Sequence, residues 1–122
     1  MTPREATVAA GRAAEAIRSL NHQTRPDVAG LDVTDVYDVV AELALLAARL
    51  PQTLTQIEDL VDQLVEHDQV VIVDGDQCGD PVAAAVIVGH WLSRARTTAD
   101  QLARSLDAAQ QTLTWAARPE SR

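Results

Sequence analysis

VYDVVAELALLAARLPQTLTQIEDLVDQL, residues 36–64, is the stretch that decides the fold. Its apolar residues recur at alternating spacings of four and three over four heptads. These residues, which we call the heptad line of the stretch, are Val36, Val40, Leu43, Ala47, Leu50, Leu54, Ile57, Val61 and Leu64. Such a spacing is typical of a long α-helix that packs along one side. We therefore predict a long helix from about residue 33 to residue 67.

Pro51 lies inside this helix, and the apolar spacing passes through it without losing phase. A loop would normally reset the spacing, so we expect one continuous helix kinked near Ala47 to Pro51. An internal proline costs about 3 kcal/mol. A short break at Pro51 therefore stays open as an alternative.

A second long helix is predicted to begin at Pro81, because Asp80 suits the N-cap and proline suits the first helical position. It has its own heptad line, composed of Ala85, Val88, Leu92, Ala95, Ala99, Leu102, Leu106, Ala109, Leu113 and Ala116. The residues between the two helices include the β-branched run Val70–Val73, which favours an extended piece or a short strand. This connection is long enough for the two helices to pair antiparallel along their heptad lines.

The N-terminal part predicts a shorter helix, from about Pro3 to Leu20. Its apolar stripe is thin, consisting of Ala6, Ala10, Ala13, Ile17 and Leu20, and it predicts a small buried face. Pro26 and Gly30 indicate a surface connection to the next helix, whose N-cap is either Asp32 or Thr34. The expected fold is therefore all-α, an antiparallel helical bundle in a single domain spanning residues 1–122.

Several apolar residues remain outside the heptad lines. Val39, Leu46 and Leu60 form a second apolar line that we expect on the opposite side of the first long helix. Trp91 lies in the apolar start of the last helix, and Trp115 lies on a polar side of it. Tryptophan is enriched at binding hot spots, so these five residues are candidates for a partner interface. Packing of Trp115 against the N-terminal helix is the alternative.

The charge distribution argues against nucleic acid as a partner. The net charge is −8, and residues 27–80 hold thirteen acidic residues against Arg49 alone, whereas phosphate backbones are bound by Lys and Arg. The longest apolar run, Val82–Val88, is far shorter than the roughly 18–20 residues that span a bilayer, so no membrane span is expected. With one cysteine, Cys78, and no leader-like pattern in residues 1–20, we expect a cytoplasmic protein.

Four carboxylates cluster within about two turns of the first long helix. They are Glu58, Asp59, Asp62 and Glu66. Such a cluster can hold Mg²⁺ for phosphate chemistry, as in the all-α nucleotide pyrophosphohydrolases, but that family needs a second acidic pair on the next helix. The last helix offers only Asp100 and Asp107. We therefore read the cluster as an exposed acidic face and predict no catalytic residue, metal or cofactor.

Residues 35–51, DVYDVVAELALLAARLP, and residues 105–113, SLDAAQQTL, resemble short, uncharacterised helical proteins of actinobacteria. The resemblance implies a bacterial cytosolic setting and no particular activity.

The surplus of apolar helix surface favours a non-enzymatic adaptor or accessory protein that acts through protein–protein contacts and forms a homodimer. An acidic inhibitor or antagonist of a basic protein is the alternative. A Mg²⁺-dependent nucleotide phosphohydrolase is a further alternative.

Overall fold

The computed structural model describes residues 3–28 and 30–116, and about four-fifths of these residues are helical. Three helices follow one another along the chain: α1, Pro3–Gln23; α2, Val33–Glu66; and α3, Pro81–Thr114. Within the described ranges there is no β-strand. The predicted all-α class is confirmed, and so is the packing of the two long helices against each other.

The N-termini of the long helices are fixed by acidic caps. Asp32 accepts a hydrogen bond from the Asp35 backbone N–H at 2.9 Å, and the Asp35 carboxylate accepts one from the Asp32 N–H at 3.1 Å, which completes a capping box. Asp80 accepts from the Ala83 N–H at 3.0 Å, directly before Pro81. Of the two candidates for the first of these caps, Asp32 holds the position.

α2 runs as one α-helix through Pro51. The alternative of a break at this proline is wrong, because the helix continues without interruption from Val33 to Glu66. Packing against α3 over the whole length offsets the hydrogen bond that proline cannot donate. The kink itself stays a prediction.

Two shallow grooves are lined by residues of both long helices. Residues at the start of α2 and the end of α3 line one shallow groove: Val33, Thr34, Tyr37, Leu113, Thr114 and Ala116. Residues near the end of α2 and the start of α3 line another: Glu58, Asp62, Val65, Glu66, Val82, Ala85, Val86, Gly89 and His90. The connection between α2 and α3, residues 67–80, turns back on itself, with the Gly79 N–H donating to the Ile72 oxygen at 2.9 Å. The β-branched run Val70–Val73 is loop, not strand.

The surface between α2 and α3 is built mainly from small residues. Ala47 is fully buried, and Ala44 and Ala99 are 6% exposed. Within the described chain no larger side chain is fully buried. The two helices therefore approach each other through alanines, while their leucines and isoleucines stay at least partly accessible.

A subset of the buried and half-buried positions follows a spacing of three and four, and we call this subset the contact line; Val39, Leu43 and Ala95 are also half-buried but lie outside it. On α2 the contact line is Tyr37, Val40, Ala44, Ala47, Pro51, Leu54, Glu58, Val61 and Val65. On α3 it is Ala85, Gly89, Leu92, Arg96, Ala99, Ala103, Leu106, Gln110 and Leu113.

The contact line differs from the heptad lines in alternate members, each displaced by one residue. Position 37 replaces 36 and 44 replaces 43 on α2, and the same shift occurs at 89 and 96 on α3. At 44, 89 and 103 the contact residue is smaller than the heptad residue it replaces, and small side chains let the helix axes come close.

α1 stands apart from the other two helices. Within the described residues, no Cα atom of α1 lies within 8 Å of a Cα atom of α2 or α3. Of residues 4–23, only Ile17 and Leu20 are half-buried, and the alanines of the predicted stripe are exposed in the single chain. The thin apolar stripe gives α1 too little surface to bury, so it does not pack closely on the α2–α3 pair.

Candidate functional site

The most distinctive surface of the molecule is an apolar side of the α2–α3 pair that nothing in the described chain covers. We call it the open face. On α2 it consists of Val36, Val39, Leu43, Leu46, Leu50, Thr53, Ile57, Leu60 and Leu64. On α3 it consists of Val88, Trp91, Ala95, Thr98, Leu102, Ser105, Ala109 and Thr112.

The open face is apolar along its full length. Val39 and Leu43 are half-buried, and the exposed fraction of the other large apolar members runs from 37% for Leu46 and Leu50 to 59% for Trp91. Every charged residue of α2 and α3 lies elsewhere. From Val36 to Leu64 the face extends about 42 Å, at 1.5 Å per helical residue. Uncharged surface of this length is typical of an interaction site.

Four of the five predicted interface residues lie on the open face. Val39 is half-buried, Leu46 is 37% exposed, Leu60 is 57% exposed and Trp91 is 59% exposed. Val39, Leu46 and Leu60 do not lie opposite the heptad line as expected. A separation of three residues places each of them about 60° from the preceding member of that line, so the two lines merge into one face.

Trp115 is separate from the open face. It is the residue directly after α3 and is 83% exposed, so the predicted alternative of packing against α1 is wrong for the single chain. Trp91, by contrast, has polar neighbours on its own helix. The His90 ring meets it edge to face with centroids 5.2 Å apart, and the Arg94 guanidinium lies 5.3 Å from its ring centroid.

A groove of about 680 Å³ separates the end of α1 from the first half of α2. Ile17 and Leu20 form part of one wall, and Val39, Leu46 and Leu50 form part of the other. The groove is open to solvent, and Val39, Leu46 and Leu50 of its α2 wall belong to the open face, whereas Leu45 of the same wall does not. α1 therefore borders the open face without closing it.

The four clustered carboxylates do not act as one site. The Glu58 carboxylate accepts a hydrogen bond from the Arg96 guanidinium across the α2–α3 contact, and both side chains are less than one-third exposed. Asp59, Asp62 and Glu66 are exposed and form no ion pair among the described residues. The predicted acidic face thus consists of three exposed residues, and Glu58 belongs to the contact line.

The geometry of the acidic residues does not form a metal centre. In the part of the chain that the structure describes, no three His, Cys, Asp or Glu side chains lie close enough to hold one ion. Cys78 is exposed in the connection between α2 and α3. No described helix is long and apolar enough to cross a bilayer.

Two features of the site are absent from the sequence predictions. Val36, Leu50, Ile57 and Leu64 were expected to contact the last helix, yet they are 37–42% exposed. Arg96 was not predicted to bind Glu58. Gly89 was the available signal: it leaves room for the Glu58 side chain, since an added Cβ would lie 3.2 Å from the Glu58 Oε1.

Comparison with known proteins gives no relative for this chain: no family model, no curated protein and no solved structure matches it. Its function therefore has to be inferred from its own surfaces.

Proposed function

We propose that the chain is a non-enzymatic helical adaptor or accessory protein that acts through protein–protein contacts and self-associates. One observation carries this proposal. The accessible surface of the chain is 9569 Å², whereas a compact monomer of 13.1 kDa exposes about 6,400 Å². The accessible surface of the chain is therefore about 1.5 times that of a compact monomer of the same mass.

The excess surface includes large apolar side chains, which supports association with a partner and not merely an elongated shape. Many of the large apolar residues of the long helices are more than one-third exposed, and the buried core consists of three alanines. Burial of large apolar side chains is the main favourable term in folding. Burial of these side chains against a partner would therefore stabilise the chain.

The finer architecture belongs to this proposal as well. We propose that α2 and α3 form an antiparallel pair with coiled-coil-like packing, in a cytoplasmic protein. The pairing of the start of α2 with the end of α3 in one groove supports the orientation. The three-and-four spacing of the contact line supports the packing mode.

The proposal is tested by sedimentation equilibrium of the full chain over roughly a hundredfold range of concentration. We expect a mass well above 13.1 kDa at the upper end, and a melting temperature that rises with concentration, because mass action stabilises an associated fold. A strict monomer with a concentration-independent melting temperature would overturn self-association.

The acidic end of α2 favours a second candidate, an antagonist of a basic protein. Asp59, Asp62 and Glu66 are exposed, and none of them forms an ion pair in the described chain. Long-range attraction to a basic partner would be screened by salt within a Debye length of about 10 Å at 0.1 M. Partner binding that weakens steeply with added salt supports this candidate, and binding that ignores salt contradicts it.

A further inference from the structure

We infer that the α2–α3 pair is one half of a four-helix bundle, and that a second copy of this chain supplies the other half by covering the open face. This inference rests on the proposed function and names the partner and the surface. It starts from the contact line and the open face of each helix.

The two surfaces of α2 stand at the angle that a four-helix bundle requires. Every residue of the open face on α2 directly precedes a contact-line residue, so the two lines lie about 100° apart around the helix axis, at 100° per residue. In a four-helix bundle each helix contacts two neighbours at roughly a right angle. α3 occupies one of these two positions on α2, and the open face occupies the other.

The open faces of α2 and α3 point to the same side of the pair. On both helices the exposed heptad residue directly precedes a contact residue, as at 50 and 51 or at 102 and 103. The sign of the displacement is therefore the same on both helices. α2 and α3 are right-handed helices that run antiparallel in the proposed pair. A shift of one residue toward the N-terminus on each helix therefore rotates the two exposed lines toward the same side of the pair.

In this arrangement the heptad lines of α2 and α3 face the central axis of the four-helix bundle. Residues such as Leu54 and Leu106, which belong to both the heptad and the contact line, face the other helix, and residues such as Leu50 and Leu102 lie beside them on the open side. The middle of each heptad line thus points diagonally between the two surfaces. In a four-helix bundle this diagonal is the direction of the central axis, where the largest apolar residues are buried.

The area to be buried fits a second copy. The surface excess is about 3,200 Å² per chain, and obligate homodimers bury roughly 1,000–2,500 Å² on each subunit. A dimer interface of that size fits within the excess, to which the unpacked α1 also contributes. Since the face is uncharged, two copies meet without placing like charges against each other, although the chain carries a net charge of −8.

α1 does not serve as the missing layer. A helix of 21 residues is about 32 Å long, shorter than the 42 Å face, and its N-terminal alanines offer little apolar area. It also flanks the α2 edge alone and comes near no part of α3. Closure by α1 would leave the α3 half of the face in water.

Matched substitutions test the surface. Ile57 and Leu45 lie on α2 and are 41% and 42% exposed, but only Ile57 belongs to the open face. We expect Ile57→Glu to weaken the dimer by about a hundredfold or more, because a twofold interface buries the new carboxylate twice. Leu45→Glu should leave the dimer constant within about threefold. Sedimentation equilibrium gives both constants, and circular dichroism checks that each variant keeps its helix content.

A second pair on α3 extends the test. Leu102, on the open face, and Val86, off it, are 47% and 69% exposed. Leu102→Glu should weaken the dimer, and Val86→Glu should not. The open face is not the interface if the dimer persists in both Ile57→Glu and Leu102→Glu, or if Leu45→Glu dissociates it instead. Self-association would still hold in either case. A monomeric wild-type chain overturns self-association itself, and with it the second copy as the occupant of the open face.

Discussion

The close approach of α2 and α3 through alanine makes a sharp prediction about residue 47. Ala47 is completely buried at the middle of the contact line, whereas Ala48, its neighbour on the same helix, is exposed. Replacing Ala47 by leucine adds three carbon atoms where there is no accessible space. The helices must then separate, or the new side chain must leave its preferred rotamer.

The expected cost follows from this geometry. Overpacking a filled site costs typically 1–3 kcal/mol, and alanine and leucine differ little in helix propensity. We therefore expect Ala47→Leu to lower the free energy of unfolding by about 2 kcal/mol. For a chain of 122 residues this lowers the melting temperature by about 8 °C. Ala48→Leu adds the same atoms in solvent and should shift it by less than about 2 °C.

The assay is thermal unfolding followed by circular dichroism at 222 nm, with wild type and both variants at one protein concentration, because association would shift the melting temperature. Equal melting temperatures for Ala47→Leu and Ala48→Leu would refute the close alanine contact. So would an Ala47→Leu chain more stable than wild type, since that result requires unfilled space beside residue 47.

Two further predictions concern polar features of the long helices. Alanine has a higher helix propensity than glycine by roughly 1 kcal/mol, but a Cβ added at residue 89 would lie 3.2 Å from the Glu58 Oε1. We therefore expect Gly89→Ala to raise the free energy of unfolding by this amount only when Glu58 is also replaced by alanine. A double-mutant cycle by urea denaturation checks this, and an equal gain in both backgrounds contradicts it. Asp80→Ala should cost about 1 kcal/mol through loss of the cap of α3, measured by thermal melting, whereas Asp76→Ala in the preceding loop should be close to neutral.

The long helices could be predicted from the sequence to within two residues at each described end. The reason is that two independent signals agree, since the heptad spacing defines the body of each helix and Asp32 and Asp80 mark the starts. The continuity of α2 through Pro51 was also predictable, because a preserved phase requires an unbroken helix.

The rotation of the helices about their axes could not be predicted in the same way. The largest apolar residues, such as Leu50 and Ile57, dominate any sequence pattern, but they identify where most apolar surface is to be buried and not which helix is nearest. In the single chain the nearest helix is contacted by Ala44, Ala47 and Ala99, and alanine is weak as a sequence signal because it occurs on every face.

The candidate site was predicted in part. Val39, Leu46, Leu60 and Trp91 were identified as surplus apolar residues and lie on the open face. The Glu58–Arg96 pair was not, because a carboxylate among other helix carboxylates reads as solvent-exposed. Only the position of Arg96 one heptad beyond Gly89, on the opposing helix, distinguishes it.

The Glu58–Arg96 pair has a consequence for how the hairpin assembles. Aliphatic edges built from repeated alanines and leucines are nearly degenerate, because sliding one helix by seven residues still matches apolar to apolar. A slip of that size would set Glu58 against Gly89 or Ala103 and leave a partly dehydrated carboxylate without its guanidinium, an outcome that costs far more than the pair itself gains. The Glu58–Arg96 ion pair thus favours one alignment of α2 and α3 over others that would bury a similar apolar surface.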